Sequence, residues 1–237
     1  MLACGASQQT TRPTAERYYQ EGLKELQQHH CLKAIDLFQR IVTSWPGSDF
    51  VDDAQYYLAE SHRCAEEYTE AIFEYERLVR EYRNSPYVDD ATLKIGVCYF
   101  KQSLPVPLDQ KDTYNAIDSF TRFLEDYPGS PLADEAQQYL LMARTKLAEK
   151  QYQIANAYRS WGNDEAALIY YREILNGYGE TPWAPPAAYE TGEILLKQGH
   201  VSEALEMFRR VAETTTDPEL KKRAIKRIEE LERRAHR

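Results

Sequence analysis

Small and aromatic residues recur along this chain at the spacing of one helix face, with polar residues between them. Five times the sequence reads Ala, then Ile or Leu, two free positions, then Phe or Tyr. The copies are Ala34-Ile35 to Phe38, Ala71-Ile72 to Tyr75, Ala116-Ile117 to Phe120, Ala167-Leu168 to Tyr171 and Ala204-Leu205 to Phe208. Positions i, i+1 and i+4 share one side of a helix, so each copy predicts an amphipathic helix. A second small residue precedes each alanine. Gly22, Ala59, Ala155 and Gly192 lie 12 residues before theirs, and Gly96 lies 20 before Ala116, which marks an insertion of eight. Two helices joined by a tight turn pack closely only where the facing side chains are small, so each copy predicts a helical hairpin. The copies are offset by 37, 45, 51 and 37 residues. A period in this range signals stacked supersecondary units rather than one globular core.

The unit resembles the tetratricopeptide repeat, a helix–turn–helix of about 34 residues. In that reading the aromatic plugs the gap between its own helix pair and the next. Closing aromatics follow at Trp45, Tyr82, Tyr127 and Tyr178, then the breakers Pro46-Gly47, Pro128-Gly129 and Gly179. Ser85-Pro86 and Ser130-Pro131 read as a helix-capping serine with proline at the first helical position. The acids Asp52-Asp53, Asp89-Asp90 and Asp134-Glu135 suit opening turns, where the helix dipole favours negative charge. The expected fold is an all-α solenoid of five repeats, at about residues 16–46, 50–83, 87–128, 131–178 and 182–215. A charged capping helix over 218–236 follows, and the solenoid as a whole spans 16–237.

Two departures stand out. Residues 103–110, reading Ser-Leu-Pro-Val-Pro-Leu-Asp-Gln, are inserted between the helices of repeat three. The stretch from Gly129 to Ala155 exceeds the corresponding stretch of other repeats by 14 residues, or about 21 Å of extra helix. Nothing from Pro131 to Ser160 breaks a helix, so one overlong helix is expected between repeats three and four.

No apolar run is long enough to span a membrane. The formal charge of −9 argues against nucleic acid as a partner. The last helix is the exception, with Lys221, Lys222, Arg223, Lys226, Arg227, Arg233, Arg234 and Arg237 against Glu219, Glu229, Glu230 and Glu232. It reads either as a solvated cap with i,i+4 pairs or as a basic face for an acidic partner. Leu2-Ala3-Cys4-Gly5 resembles the end of a bacterial lipoprotein signal, which makes Cys4 the candidate lipidation site. Residues 6–15 are polar and aperiodic. They resemble a tether with a root-mean-square span of roughly 18 Å, so 1–15 are assigned to anchor and leash.

Four cysteines make no disulfide framework in a chain of this length. Cys31 opens the second helix of repeat one and Cys64 closes the first helix of repeat two. Those helices should be antiparallel neighbours, so the two thiols either bridge in an oxidising compartment or remain small buried hydrophobes. The sequence holds no nucleophile elbow, phosphate-binding glycine loop or CxxC, and no enzyme, cofactor or metal is expected. His29-His30-Cys31 and His62-x-Cys64 match no zinc spacing. Three residues before each small position stand Tyr19, Tyr56, Leu93, Tyr152 and Tyr189. In tetratricopeptide repeats this position faces the inner groove. A tyrosine there either walls a peptide site, offering a broad ring with one polar handle, or merely tolerates a half-exposed interface. The candidate peptide-binding groove is Tyr19, Leu23, Leu26, Phe50 and Tyr56.

The acceptor cysteine, five repeats, the insertion, the overlong helix and the terminal helix, taken in order, resemble the YfiO-like (BamD) lipoproteins of the outer-membrane β-barrel assembly machinery over essentially the whole chain from Cys4. The resemblance implies a non-enzymatic scaffold held by lipid on the periplasmic face of the outer membrane. It implies that N-terminal repeats receive segments of unfolded outer-membrane proteins and that C-terminal repeats dock the POTRA domains of the barrel insertase. Other assembly lipoproteins are further implied partners. In that family part of the docking uses arginines in the turn joining repeats four and five. Here the turn, residues 176–186, holds no arginine, which leaves Trp183 with the nearby Arg172 and Arg209 as docking candidates. The rival readings are another periplasmic repeat adaptor, either a Tol–Pal coordinator or a pilus-secretin pilotin. A Tol–Pal coordinator carries a coiled coil before its repeats, and none is visible here. A cytosolic co-chaperone needs a basic carboxylate clamp, for which Arg63 and Lys101 offer a partial set. An enzyme appended to repeats lacks its second domain.

Overall fold

A computed structural model describes residues 14–235; Cys4 and most of the expected tether lie outside the described residues. Among those residues there are eleven helices and no strands. In chain order come α1 (Ala15–Gln27), α2 (Cys31–Ser44), α3 (Val51–Cys64), α4 (Tyr68–Glu81), α5 (Val88–Gln102) and α6 (Lys111–Asp126). Next come α7 (Ala133–Ser160) with α8 (Asp164–Gly177), α9 (Ala184–Lys197) with α10 (Val201–Thr214), and the closing α11 (Pro218–Ala235). This is the all-α class of five tetratricopeptide repeats with a capping helix, and α7 runs unbroken through 28 residues.

Packing divides the chain into two compact units. One holds residues up to Gln102 together with Arg122–Ala133; the other holds Ser103–Thr121 and Asp134 onward. In the first, α1 to α5 pack each on the next. In the second, Ala148 and Ala155 of α7 share a core with Ala167 and Tyr171 of α8, and α8 to α11 again pack in order.

The small-to-aromatic rule has a direct geometric cause. A methyl group at Gly22 would lie 2.7 Å from the Phe38 ring, and one at Gly192 would lie 2.8 Å from the Phe208 ring. Both rings are fully buried. Where the small residue is alanine the plug is tyrosine, and its hydroxyl reaches the residue after the alanine. Tyr75 donates to Glu60 in a short contact, and Tyr171 donates to Asn156 at 2.6 Å. Glu60 also accepts from Arg63 Nε at 3.0 Å. Burial alone would raise the Glu60 carboxyl, but Arg63 and Tyr75 outweigh it and hold the group below the usual range.

The inter-repeat turns differ from the simple capping expectation. Ser85 and Ser130 do not cap the helix directly. Each begins a turn, accepting from the amide two residues on (Tyr87 at 3.5 Å, Leu132 at 3.2 Å), and helix follows at Val88 and Ala133. A serine hydroxyl competes well for that nearby amide, so the turn closes before the helix opens.

Within repeats one, two, four and five, the residue seven after the small position takes positive φ. These are His29 (57°), Glu66 (60°), Gly162 (79°) and Gly199 (86°). Two repeats meet the demand with glycine and two do not. A side chain in this region is disfavoured by about 1–2 kcal/mol, part of which glycine gives back in unfolded-state entropy. Glu66 is exposed, so Glu66→Gly should stabilise the N-terminal unit by about 0.5–1 kcal/mol, read as a higher denaturation midpoint in urea at unchanged slope.

The insertion is built around Gln110, which is 3% exposed. Its side-chain nitrogen donates to the carbonyls of Leu104, Pro105 and Leu108 at 3.1, 2.9 and 3.2 Å. Two lysines of α7 tie the loop down from outside, Lys146 to Ser103 and Lys150 to the Leu108 carbonyl.

Candidate interaction surfaces

In the N-terminal unit, aromatic side chains from α1, α3 and the turns before α3 and α5 form a continuous patch. Tyr19 stacks on Phe50 at 5.3 Å between ring centres and meets Tyr57 edge-on at 5.9 Å. Tyr57 in turn meets Tyr87 at 5.9 Å, and Tyr87 stacks on Tyr56 at 4.4 Å. Burial, with the Asp53 carboxylate behind it, pushes the Tyr19 hydroxyl up to about 12. Burial likewise raises the Asp53 carboxyl, partly offset by a hydrogen bond from Tyr87. The patch therefore offers flat apolar rings beside a poorly solvated acid.

The expected groove residues are not equally available. Tyr19 and Phe50 are half-buried and present ring faces. Leu23 and Leu26 pack against the core of the first repeat pair. Tyr56 is buried, and its hydroxyl donates to Asp90 in a short contact. Leu93 and Tyr189, at the same register, are buried as well. The register therefore serves first to seal one repeat against the next. Tyr57 and Tyr87 belong to the patch and were not singled out by sequence. Tyr57 shows no repeat-wide pattern, whereas Tyr87 stands nine residues before Gly96, as Phe50 does before Ala59 and Trp183 before Gly192.

In the C-terminal unit the three docking candidates have separate settings. Arg172 is exposed on α8 and has no ion pair among the described residues. Trp183 precedes α9 and packs on Tyr152 at 5.0 Å, partly buried against the core. Arg209 is paired with Glu232 of α11 at 2.8 Å. The turn joining repeats four and five does hold an arginine, supplied from another element. Arg144 of α7 donates to the Gly177 carbonyl at 2.5 Å, pairs with Glu180, and stands 5.3 Å over the Tyr178 ring. The overlong α7 places Arg144 there, Arg210 of α10 approaches Gly179 from the other side, and a linear reading of the turn could find neither.

The cap helix commits two of its cations to α9. Arg227 grips Glu193 with two bonds at 2.6 and 2.8 Å, and Arg223 lies 4.3 Å over the Tyr189 ring. Cys31 and Cys64 form a disulfide with 5.7 Å between α-carbons. His30 and His62 are bonded to Glu25 and Glu67, each at 2.7 Å. Among the described residues no three His, Cys, Asp or Glu side chains converge as a metal site, and no helix is long and apolar enough to cross a membrane.

Helical hairpins that present faces to solvent define a tetratricopeptide-repeat protein, and a tetratricopeptide profile also matches residues 188–222. The profile of the YfiO outer membrane lipoproteins matches residues 12–190, and the chain belongs to that family. Two relatives are each named outer membrane protein assembly factor BamD. The Caulobacter vibrioides protein is 25% identical over 189 residues, 80% of this chain and 62% of its own length. The Rickettsia prowazekii protein is 25% identical over 193 residues, 78% of this chain and 74% of its own. The match thus spans less than two thirds of the Caulobacter relative. Among solved structures, the yeast Sti1 TPR2AB domain in its pHSP90 complex aligns at TM-score 0.46 and 18% identity, covering 84% of this chain and 76% of that one. A tetratricopeptide protein of Thermus thermophilus aligns at TM-score 0.38 and 15% identity, covering 91% and 99%.

Proposed function

We propose that this protein is a non-enzymatic scaffold for outer-membrane protein assembly, held at the periplasmic face of the outer membrane by lipid on Cys4. The observation that carries this reading is the family match over residues 12–190. The disulfide between Cys31 and Cys64 supports it, since such bridges persist in oxidising compartments such as the bacterial periplasm. In this reading the aromatic patch of the N-terminal unit receives unfolded substrate segments, with Tyr19 and Phe50 as the accessible rings and Leu23, Leu26 and Tyr56 as their backing. The POTRA domains of the barrel insertase dock on the C-terminal repeats, where Arg172 is the free cation and Trp183 and Arg209 support the surface. Other assembly lipoproteins are further partners.

Labelling cells that express the gene with its own leader with a clickable fatty acid should mark Cys4, and Cys4→Ala should release the protein from the membrane fraction. Pull-down from detergent-solubilised membranes should recover a POTRA-containing barrel protein. Recovery of a secretin or a Tol component instead would reject the assembly reading in favour of a different periplasmic adaptor.

A further inference from the structure

A groove of about 980 Å³ runs along α8 within the C-terminal unit. Leu168 and Leu195 form its floor and are nearly fully buried. On its rim stand Ile169 and Tyr114, 59% and 54% exposed. Sites for compact small molecules enclose most of their ligand. Two large apolar side chains left this open suit a ligand laid along the surface instead.

Gln151 lines the same groove, and its buried Oε1 has no hydrogen-bond partner. Buried polar atoms in folded proteins nearly always have partners, and a turn of this half-buried side chain toward the groove would give the atom a donor from a ligand. An extended main chain presents N–H and C=O groups side by side and can pair with either edge of a carboxamide. The charges narrow the ligand further. Glu165, Glu173 and Glu203 line the groove, and Glu203 is bonded to His200 at 2.9 Å, which leaves Glu165 and Glu173. Of its two arginines, Arg144 is held by Glu180 and the Gly177 carbonyl, which leaves Arg172. Carboxylates thus outnumber the one uncommitted cation, in a chain of formal charge −9. Such a wall attracts positive groups and repels negative ones.

We propose that the α8 groove binds an extended polypeptide segment that carries a basic side chain, with Gln151 receiving its main chain and Ile169 its apolar residues. The site shares only Arg172 with the docking surface above, and its test needs no assembly partner.

The probe is a fluorescent decapeptide of alternating valine and serine with one central arginine, beside a twin with glutamate in that place. Both are titrated with the full chain in low salt and read by anisotropy. The arginine peptide should bind at least about tenfold more tightly than its twin. Ile169→Asp and Gln151→Leu should each weaken it by about tenfold, and Arg172→Glu should strengthen it. Phe73→Ala, on an exposed face of α4 in the N-terminal unit, should change nothing. Ile169 and Arg172 are exposed, so their variants keep the fold, which thermal melts will verify. Absence of saturable binding, equal binding of the twins, or loss with Phe73→Ala and not with Ile169→Asp would each overturn the proposal.

Discussion

Removing the Cys31–Cys64 bridge should lower the stability of the N-terminal unit by about 3–4 kcal/mol. The bond closes a loop of 33 residues, and the chain-entropy cost that it removes from the unfolded state scales with the logarithm of that length. The expected consequence is a fall of about 10–20 °C in the melting transition of that unit. Position adds to length. The bridge links the first residue of α2 to the last residue of α3, so it ties repeat one to repeat two at the edge where no closing aromatic helps. Both cysteines are only half-buried, so dithiothreitol can reach the bond without prior unfolding. Cys98 is a useful internal contrast, since burial pushes its thiol up to about 12 and should protect it from alkylation in the native state. Melts of the oxidised, reduced and Cys31→Ser proteins followed by circular dichroism make the check. Superimposable oxidised and reduced curves would show that the bridge contributes nothing.

Much of this architecture can be read in advance because the repeat imposes one local rule many times. Gly22 and Phe38, or Ala155 and Tyr171, sit at a fixed offset, and only a hairpin brings them together. The overlong α7 was legible for the same reason, as a length surplus without a breaker. The surfaces were less legible because they depend on contacts that period does not encode. Tyr56 and Tyr19 occupy the same register, yet one is buried against Tyr87 and Asp90 while the other presents its ring. The turn between repeats four and five lacks an arginine in sequence and holds Arg144 in space. Trp183, a docking candidate in sequence because its turn lacks arginine, packs its ring on Tyr152. The orphaned Gln151 has no sequence signal at all, because nothing in a glutamine's neighbours reveals which bonds its amide fails to make.

The repeats also encode a pairing that can be transplanted. Gly22 and Gly192 pair with phenylalanine, at Phe38 and Phe208, whereas Ala59 and Ala155 stand with tyrosine, at Tyr75 and Tyr171. Gly192→Ala drives a methyl group to within 2.8 Å of the Phe208 ring, which is fully buried and cannot swing aside. Overpacking of this kind costs about 1–3 kcal/mol, and the better helix propensity of alanine returns less than about 1 kcal/mol. The net loss in the C-terminal unit should therefore be about 1–2 kcal/mol. Adding Phe208→Tyr should recover a good part of it. Glu193 follows Gly192 as Glu60 follows Ala59, and it is gripped by Arg227 as Glu60 is by Arg63. A carboxylate has lone pairs left to accept a phenolic hydroxyl after such a grip, as Glu60 does from Tyr75. The double variant would then reproduce the repeat-two arrangement in repeat five. Urea melts of the two single variants and the double variant close a cycle whose coupling should be stabilising by about 0.5 kcal/mol or more. Strict additivity would mean that the glycine–phenylalanine and alanine–tyrosine pairs are coincidence rather than two solutions to one packing problem.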